Sequence, residues 1–312
     1  MLVFAMLALA CAVFATPVLA DNGKARASPN AARGLLYHGL EHGNAGGLCD
    51  DVYEVHKANG RLGCTHGPDP APAGRDVRRR RSTHELRVAA VHAASTSSLL
   101  TPSATGSIQC VGDGVSGNRV LAVYAYPAGG IDRYADIVPL IRGWAADVDG
   151  EIDASAAETG GTRHVRFVTD AGCGLFVEKV SLSAGAVNDL TIMESKLAAA
   201  GYDRSDRKYL VWVDANVYCG IADLWLDDSP FESNWNNGAT GVPGMFARVD
   251  NGCWGYAEKH ELVHTLGGVQ TSAPNSSGYG HCIDESDDMC YDDDDDDDDA
   301  GPITMTQACS LD

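Results

Sequence analysis

Hydrophobic and polar positions alternate between two periods along the middle of this chain. Residues Asn118–Tyr126 read NRVLAVYAY, a β-branched and aromatic run that predicts a strand. After the turn residues Pro127 to Gly130, apolar side chains recur at spacings of three and four through Tyr134, Ile137, Val138, Ile141, Trp144, Ala145, Val148 and Ile152. That is the signature of one buried helix face, weakened but not ended by Pro139 and Gly143. Strands are expected over Arg163–Thr169 and Leu175–Ser183, then a shorter helix through Val187, Leu190, Met193 and Leu197, closed by Gly201. Lys208–Asp214 is the clearest strand. A loop rich in Asp, Asn and Gly (Asp227–Gly244) separates it from a last strand, Met245–Asp250, and a helix follows from near Gly255. This order predicts an α+β or α/β fold with a mixed sheet and helices packed on it.

Outside that region the texture differs. The first twenty residues are apolar and uncharged and end Val18-Leu19-Ala20, which predicts a secretory signal peptide over 1–20 and a secreted, extracellular product. A lipid anchor through Cys11 is the weaker alternative. Residues 21–105 hold no long periodic segment, are rich in Ala, Gly, Pro, Ser and Arg, and include Arg78-Arg79-Arg80-Arg81. They read as a pro-segment or linker, the Arg run being either a processing site or a solvated stretch, with the working domain over 106–312. Export makes disulfides the expected state of the cysteines. Nearest-neighbour pairing gives Cys49–Cys64, Cys110–Cys173, Cys219–Cys253 and Cys282–Cys290, and leaves Cys309 over.

The formal charge is −20, of which eight units lie in the run Asp292–Asp299 and the remaining −12 is spread along the chain. An acidic protein lacks the broad positive surface that nucleic acid or anionic lipid attracts, so neither is an expected partner, and no membrane is once the signal is removed. The Asp run is a candidate for collecting Ca2+, set against the usual reading of a solvated, self-repelling stretch.

The chemistry is concentrated in AEKHELVHTLGG (Ala257–Gly268), which contains His-Glu-x-x-His at 260–264. Residues four apart on a helix share a face about 6 Å apart along the axis, so His260 and His264 can bind one metal, with Glu261 beside it. Such a site suits zinc: the metal acidifies water and polarises a carbonyl, and the carboxylate moves the proton. Met289 and Tyr291 follow in DDMCY.

The pattern His260-Glu261-x-x-His264-x-x-Gly267, with Met289 two residues before Tyr291, resembles the metzincin zinc peptidases. The stretches VWVDANVYCG, ARVDNGCWG, HELVHTLGGVQ and HCIDESDDMCY are also similar to those of secreted bacterial zinc proteases, over roughly 106–309. The resemblance implies a metzincin-like mixed twisted sheet with an active-site helix and a Met-turn. It also implies a zinc endopeptidase acting on protein or peptide substrates, with Glu261 as general base and Met289 under the metal. Tyr291 is the candidate oxyanion stabiliser or a structural residue. The sequence departs from the family where a third His is expected, since that position is Gln270. His281 is the preferred third ligand, as in leishmanolysin-like members with an insertion; Gln270 and Asp284 are the alternatives. Cys64 loosely resembles the cysteine of pro-segments that cap zinc, although pairing with Cys49 is the first expectation. The short stretch after Tyr291 predicts a small or truncated C-terminal subdomain. A monomer is expected, and the alternative function is a catalytically inactive, zinc-binding interaction module.

Overall fold

In a computed structural model, the structure describes residues 29–50, 52–57, 60–96, 107–238, 241–278, 280–284, 287–291 and 305. The expected signal peptide, the Asp292–Asp299 run and Cys309 lie outside these residues.

The strands are β1 (Glu41–His42), β2 (Tyr53–His56), β3 (Leu62–Asp69), β4 (Arg119–Pro127), β5 (Val177–Leu182), β6 (Arg207–Val213), β7 (Gly220–Asp223) and β8 (Met245–Asp250). The helices are α1 (Thr83–Thr96), α2 (Tyr134–Glu158), α3 (Ala184–Asn188), α4 (Leu190–Ala199) and α5 (Glu258–Thr265). All eight strands form one mixed sheet in the order β1-β2-β3-β7-β8-β6-β4-β5. Strands β5, β4, β6 and β8 run parallel, and β7, β3, β2 and β1 continue the sheet through antiparallel pairings.

Alternation along the parallel strands feeds two cores. On one face, Ala122 and Tyr124 of β4, Leu210 and Trp212 of β6, and Ala247 and Val249 of β8 pack with Ile137, Ile141 and Trp144 of α2 and Leu262 of α5. On the other, Val123, Val211, Val213 and Phe246 meet Leu190, Met193 and Leu197 of α4. Because both faces are covered, β6 is buried along its whole length. None of the described helices is long and apolar enough to cross a membrane.

Two elements differ from expectation. Arg163–Thr169 is not a strand: it makes only isolated bridges, Val120 with Phe167 and Thr169 with Leu175. The expected single helix through Val187 to Leu197 is two, because Asp189 adopts an extended conformation and caps α4, accepting from the Ile192 amide at 2.8 Å.

The larger correction concerns residues 21–105. Their described part is no free linker, since β1–β3 extend the same sheet through β3 on β7, and Val77 and Leu86 are fully buried in the main core. The strands escape pattern reading because β1 and β2 are short and β3 reads LGCTHGPD, with glycines and a proline. The register shifts between Thr65 and Pro68, a local irregularity of the kind at which a sheet accommodates a proline. All four expected disulfides form: Cys49–Cys64, Cys110–Cys173, Cys219–Cys253 and Cys282–Cys290.

Candidate metal centre

Helix α5 begins where Glu258, buried in its first turn, accepts from Trp212 Nε1 at 2.8 Å and from the Gly255 amide at 2.7 Å, which fixes the helix against β6. It carries His260, Glu261 and His264, all buried, toward β7 and β8. The helix stops at Thr265 and the chain turns through Gly267 (φ 97°), a left-handed conformation that a side chain would strain. The return path is pinned by the Val269 amide, which donates to the Gly280 carbonyl at 3.0 Å, and delivers His281 to the helix. Gly280 also has positive φ, and a Cβ there would lie 3.0 Å from His66 Cβ.

Three imidazole nitrogens converge. His260 Nε2 is 3.0 Å from His264 Nε2 and 3.3 Å from His281 Nε2. Zinc–nitrogen bonds of about 2.0–2.1 Å in a tetrahedron place neighbouring ligand atoms about 3.3 Å apart, so the observed spacing is that of a metal cradle. The outer nitrogens are spoken for: His260 Nδ1 donates to the Asp288 carbonyl and His264 Nδ1 to the Gly268 carbonyl, each at 2.7 Å. This fixes the tautomer that turns an Nε2 lone pair inward. Burial, with the neighbouring His66, His260 and His281, holds His264 well below its ordinary pKa, hence neutral and able to ligate.

Two further residues enter from β3. Asp69 Oδ2 lies 3.1 Å from His260 Nε2 and Asp69 Oδ1 3.3 Å from His281 Nε2, so the carboxylate bridges these two imidazoles within reach of the same metal position. Tyr291 hydroxyl donates to Asp69 Oδ1, and its ring centroid lies 4.2 Å from that of His281. His66 stacks on His264 with ring centroids 3.7 Å apart, accepts from the Ala222 amide at 3.3 Å and faces Glu261 Oε2 at 3.5 Å. Two groupings of ligand atoms result, one of His66, Asp69, His264 and His281 and one of Asp69, His260 and Glu261.

Glu261 sits against β7 at Gly220, where a Cβ would come within 1.7 Å of Oε1; any larger residue would displace the carboxylate. Both Glu261 oxygens and Asp69 Oδ2 are buried without a well-formed hydrogen bond. Buried oxygen atoms left in that state beside three convergent imidazoles fit a divalent cation of the zinc type, for which imidazole and carboxylate are the ordinary ligands. Burial, followed by the charge of Asp69, pushes the Glu261 carboxyl well above the usual range. Against its own burial, Asp69 is held well below that range by His66 and His260.

Of the residues singled out in the sequence, His260, Glu261, His264, His281 and Tyr291 come together. Met289 is buried in the turn closed by Cys282–Cys290, one residue after the carbonyl that orients His260. Gln270 is turned elsewhere, its amide donating to the Trp225 and Gly267 carbonyls at 2.9 Å each. Asp284 is buried but outside the groups whose ligand atoms converge. Cys64 is bonded to Cys49, the pairing first expected for it, and so is no zinc-capping thiol. His66 and Asp69 escaped sequence reading; the only sequence mark they carry is a His-x-x-Asp spacing just after Cys64.

No known protein family matches the chain, and no curated protein matches it. Among solved structures, the metalloproteinase-II crystal structure from Bacteroides fragilis is similar at 10% identity, over 73% of this chain and 68% of that one. Its TM-score is 0.25, too low to assign this chain a fold or a function.

Proposed function

We propose that the protein is a secreted, zinc-dependent endopeptidase of metzincin-like type, acting as a monomer on protein or peptide substrates. The observation that carries this reading is that His260 Nε2 lies 3.0 Å from His264 Nε2 and 3.3 Å from His281 Nε2, with Glu261 grouped beside His260. When bound there, zinc would acidify a water molecule and polarise the scissile carbonyl. Glu261 takes the proton onto a carboxylate oxygen and hands it to the leaving amine; its place is set by Gly220 behind it and His66 beside it. The Tyr291 hydroxyl, directed at the Asp69 carboxylate, is placed to donate to an oxygen that develops negative charge at the same position.

A second reading has its own observation. With Asp69 against His260 and His281 the site offers four protein ligands, the number of a closed structural metal site, which suits an inactive zinc-binding module. The two separate on cleavage of an unfolded protein by the parent, after limited trypsin treatment, beside Glu261→Ala. The endopeptidase reading expects about one zinc per chain in both and a loss of about 10²–10⁴ in kcat in the variant. Equal cleavage by the two proteins, or none by either, contradicts it.

A further inference from the structure

A cavity of about 320 Å3 lies at the amino ends of β4 and β6, where they meet residues 163–166, the turn at 236–238 and the end of α5. None of the residues grouped at the metal centre lines it. Its walls are apolar and basic. Val120 and Val165 belong to the main core, Ile152 of α2 packs against that core, and Leu266 stands 48% exposed just beyond the last turn of α5. Among them are Arg119, Arg163, Arg166, Arg207 and Lys208, against one carboxylate, that of Asp206. In a chain of formal charge −20, this local excess of cations runs against the whole.

The five cations are not equivalent. Arg119 and Arg207 are buried and donate to three main-chain carbonyls each, which commits them to holding the chain around the starts of β4 and β6. Lys208 is buried with its amine against Met245 sulfur. Asp206 already accepts from Arg204 through both oxygens, at 2.8 and 2.7 Å. The nearby acids Asp149 and Asp153 are engaged by His164 and by the amides of Val165 and Arg163. Arg163 and Arg166 differ. Both are exposed, Val165 between them is buried, and among the described residues Arg166 has no ion pair while the Arg163 guanidinium donates only to the adjoining Thr162 carbonyl at 3.1 Å. Two guanidinium groups free to turn to a ligand beside an apolar cavity suit a carboxylate, whose two oxygens match the planar fork of arginine.

We propose that this cavity binds an apolar molecule that ends in a carboxylate, with its body among Val120, Ile152, Val165 and Leu266 and its charge on Arg163 and Arg166. A medium-chain fatty acid and the C-terminus of an apolar peptide share that chemistry. The site stands apart from the metal centre and does not depend on the peptidase reading.

The test is calorimetric titration of the full chain with decanoate and with acetyl-leucyl-leucine, beside decan-1-ol as the uncharged counterpart of decanoate. The proposal expects saturable binding of at least one of the two carboxylates, at one site per chain, and the tighter of them names the source. Loss of the charge-assisted hydrogen bonds in the double variant Arg163→Ala, Arg166→Ala should weaken that binding by about tenfold or more, with Arg166→Lys falling between. Both side chains are exposed, so thermal unfolding of the double variant should match the parent. Saturable binding of neither carboxylate overturns the proposal, as does decan-1-ol binding as tightly as decanoate. Affinity unaltered by the arginine substitutions places the carboxylate elsewhere, the metal centre included, and also overturns it.

Discussion

At the scale of single residues, the site depends on what is absent as well as on what is present. Gly220 is the clearest case, because its missing Cβ is the space that Glu261 Oε1 occupies. Gly220→Ala should therefore leave zinc bound while lowering cleavage by about 10², the scale on which a misplaced catalytic group is felt; metal analysis beside kinetics checks both halves. Lys208 makes a different point. It is buried on β6 with its amine 2.7 Å from Met245 sulfur, and burial lowers its pKa to about 7. Between that value and the ordinary 10.5 the unfolded chain binds the extra proton, so stability rises with pH across this window. Below about pH 7 the folded state carries the full deficit, up to about 5 kcal/mol. Lys208→Met should raise the melting temperature at pH 6 and flatten its rise toward pH 9, as calorimetry would show. His260, Glu261 and His264 were legible because helix geometry joins positions four apart. His66 and Asp69 were not, since about 200 residues separate them from α5 and a strand pairing alone brings them there.

At the scale of elements, legibility followed burial on both faces. Strands β4, β6 and β8 and helix α2 announce themselves because long apolar runs or a sustained helical period have no other use. Strand β7 is four residues long, and β1–β3 draw their order from the partner edge rather than from their own composition. The turn that delivers His281 and Met289 is short and held by Cys282–Cys290, with Lys259 of α5 bonded to Asp288 within it at 3.4 Å. By chain entropy that bridge contributes about 2–3 kcal/mol and Cys110–Cys173, closing a much longer loop, about 4 kcal/mol. Replacing Cys282 and Cys290 by Ser together should thus weaken zinc retention more than it lowers melting temperature. Removing Cys110 and Cys173 should do the reverse, as chelator competition and thermal unfolding of the two variants would show.

Over the whole molecule, the composition boundary near residue 105 and the structural organisation do not coincide. The sheet runs from β1 to β5 across that boundary, and the segment before it supplies a carboxylate to the metal centre and a lysine to the far face. Composition reads average polarity, which Gly, Pro and Arg dominate here, and is blind to a strand such as β3 whose partner β7 lies more than 150 residues away. The Cys spacings carried more, since all four nearest-neighbour pairs closed as expected. The central claim is a zinc ion on His260, His264 and His281, and X-ray absorption fine structure at the zinc edge of the full chain tests it most directly. The account predicts about one zinc per chain in a shell of three imidazoles and one carboxylate oxygen, reduced to two imidazoles in His281→Ala. A chain that retains no zinc, or an imidazole count unaltered by His281→Ala, would contradict it.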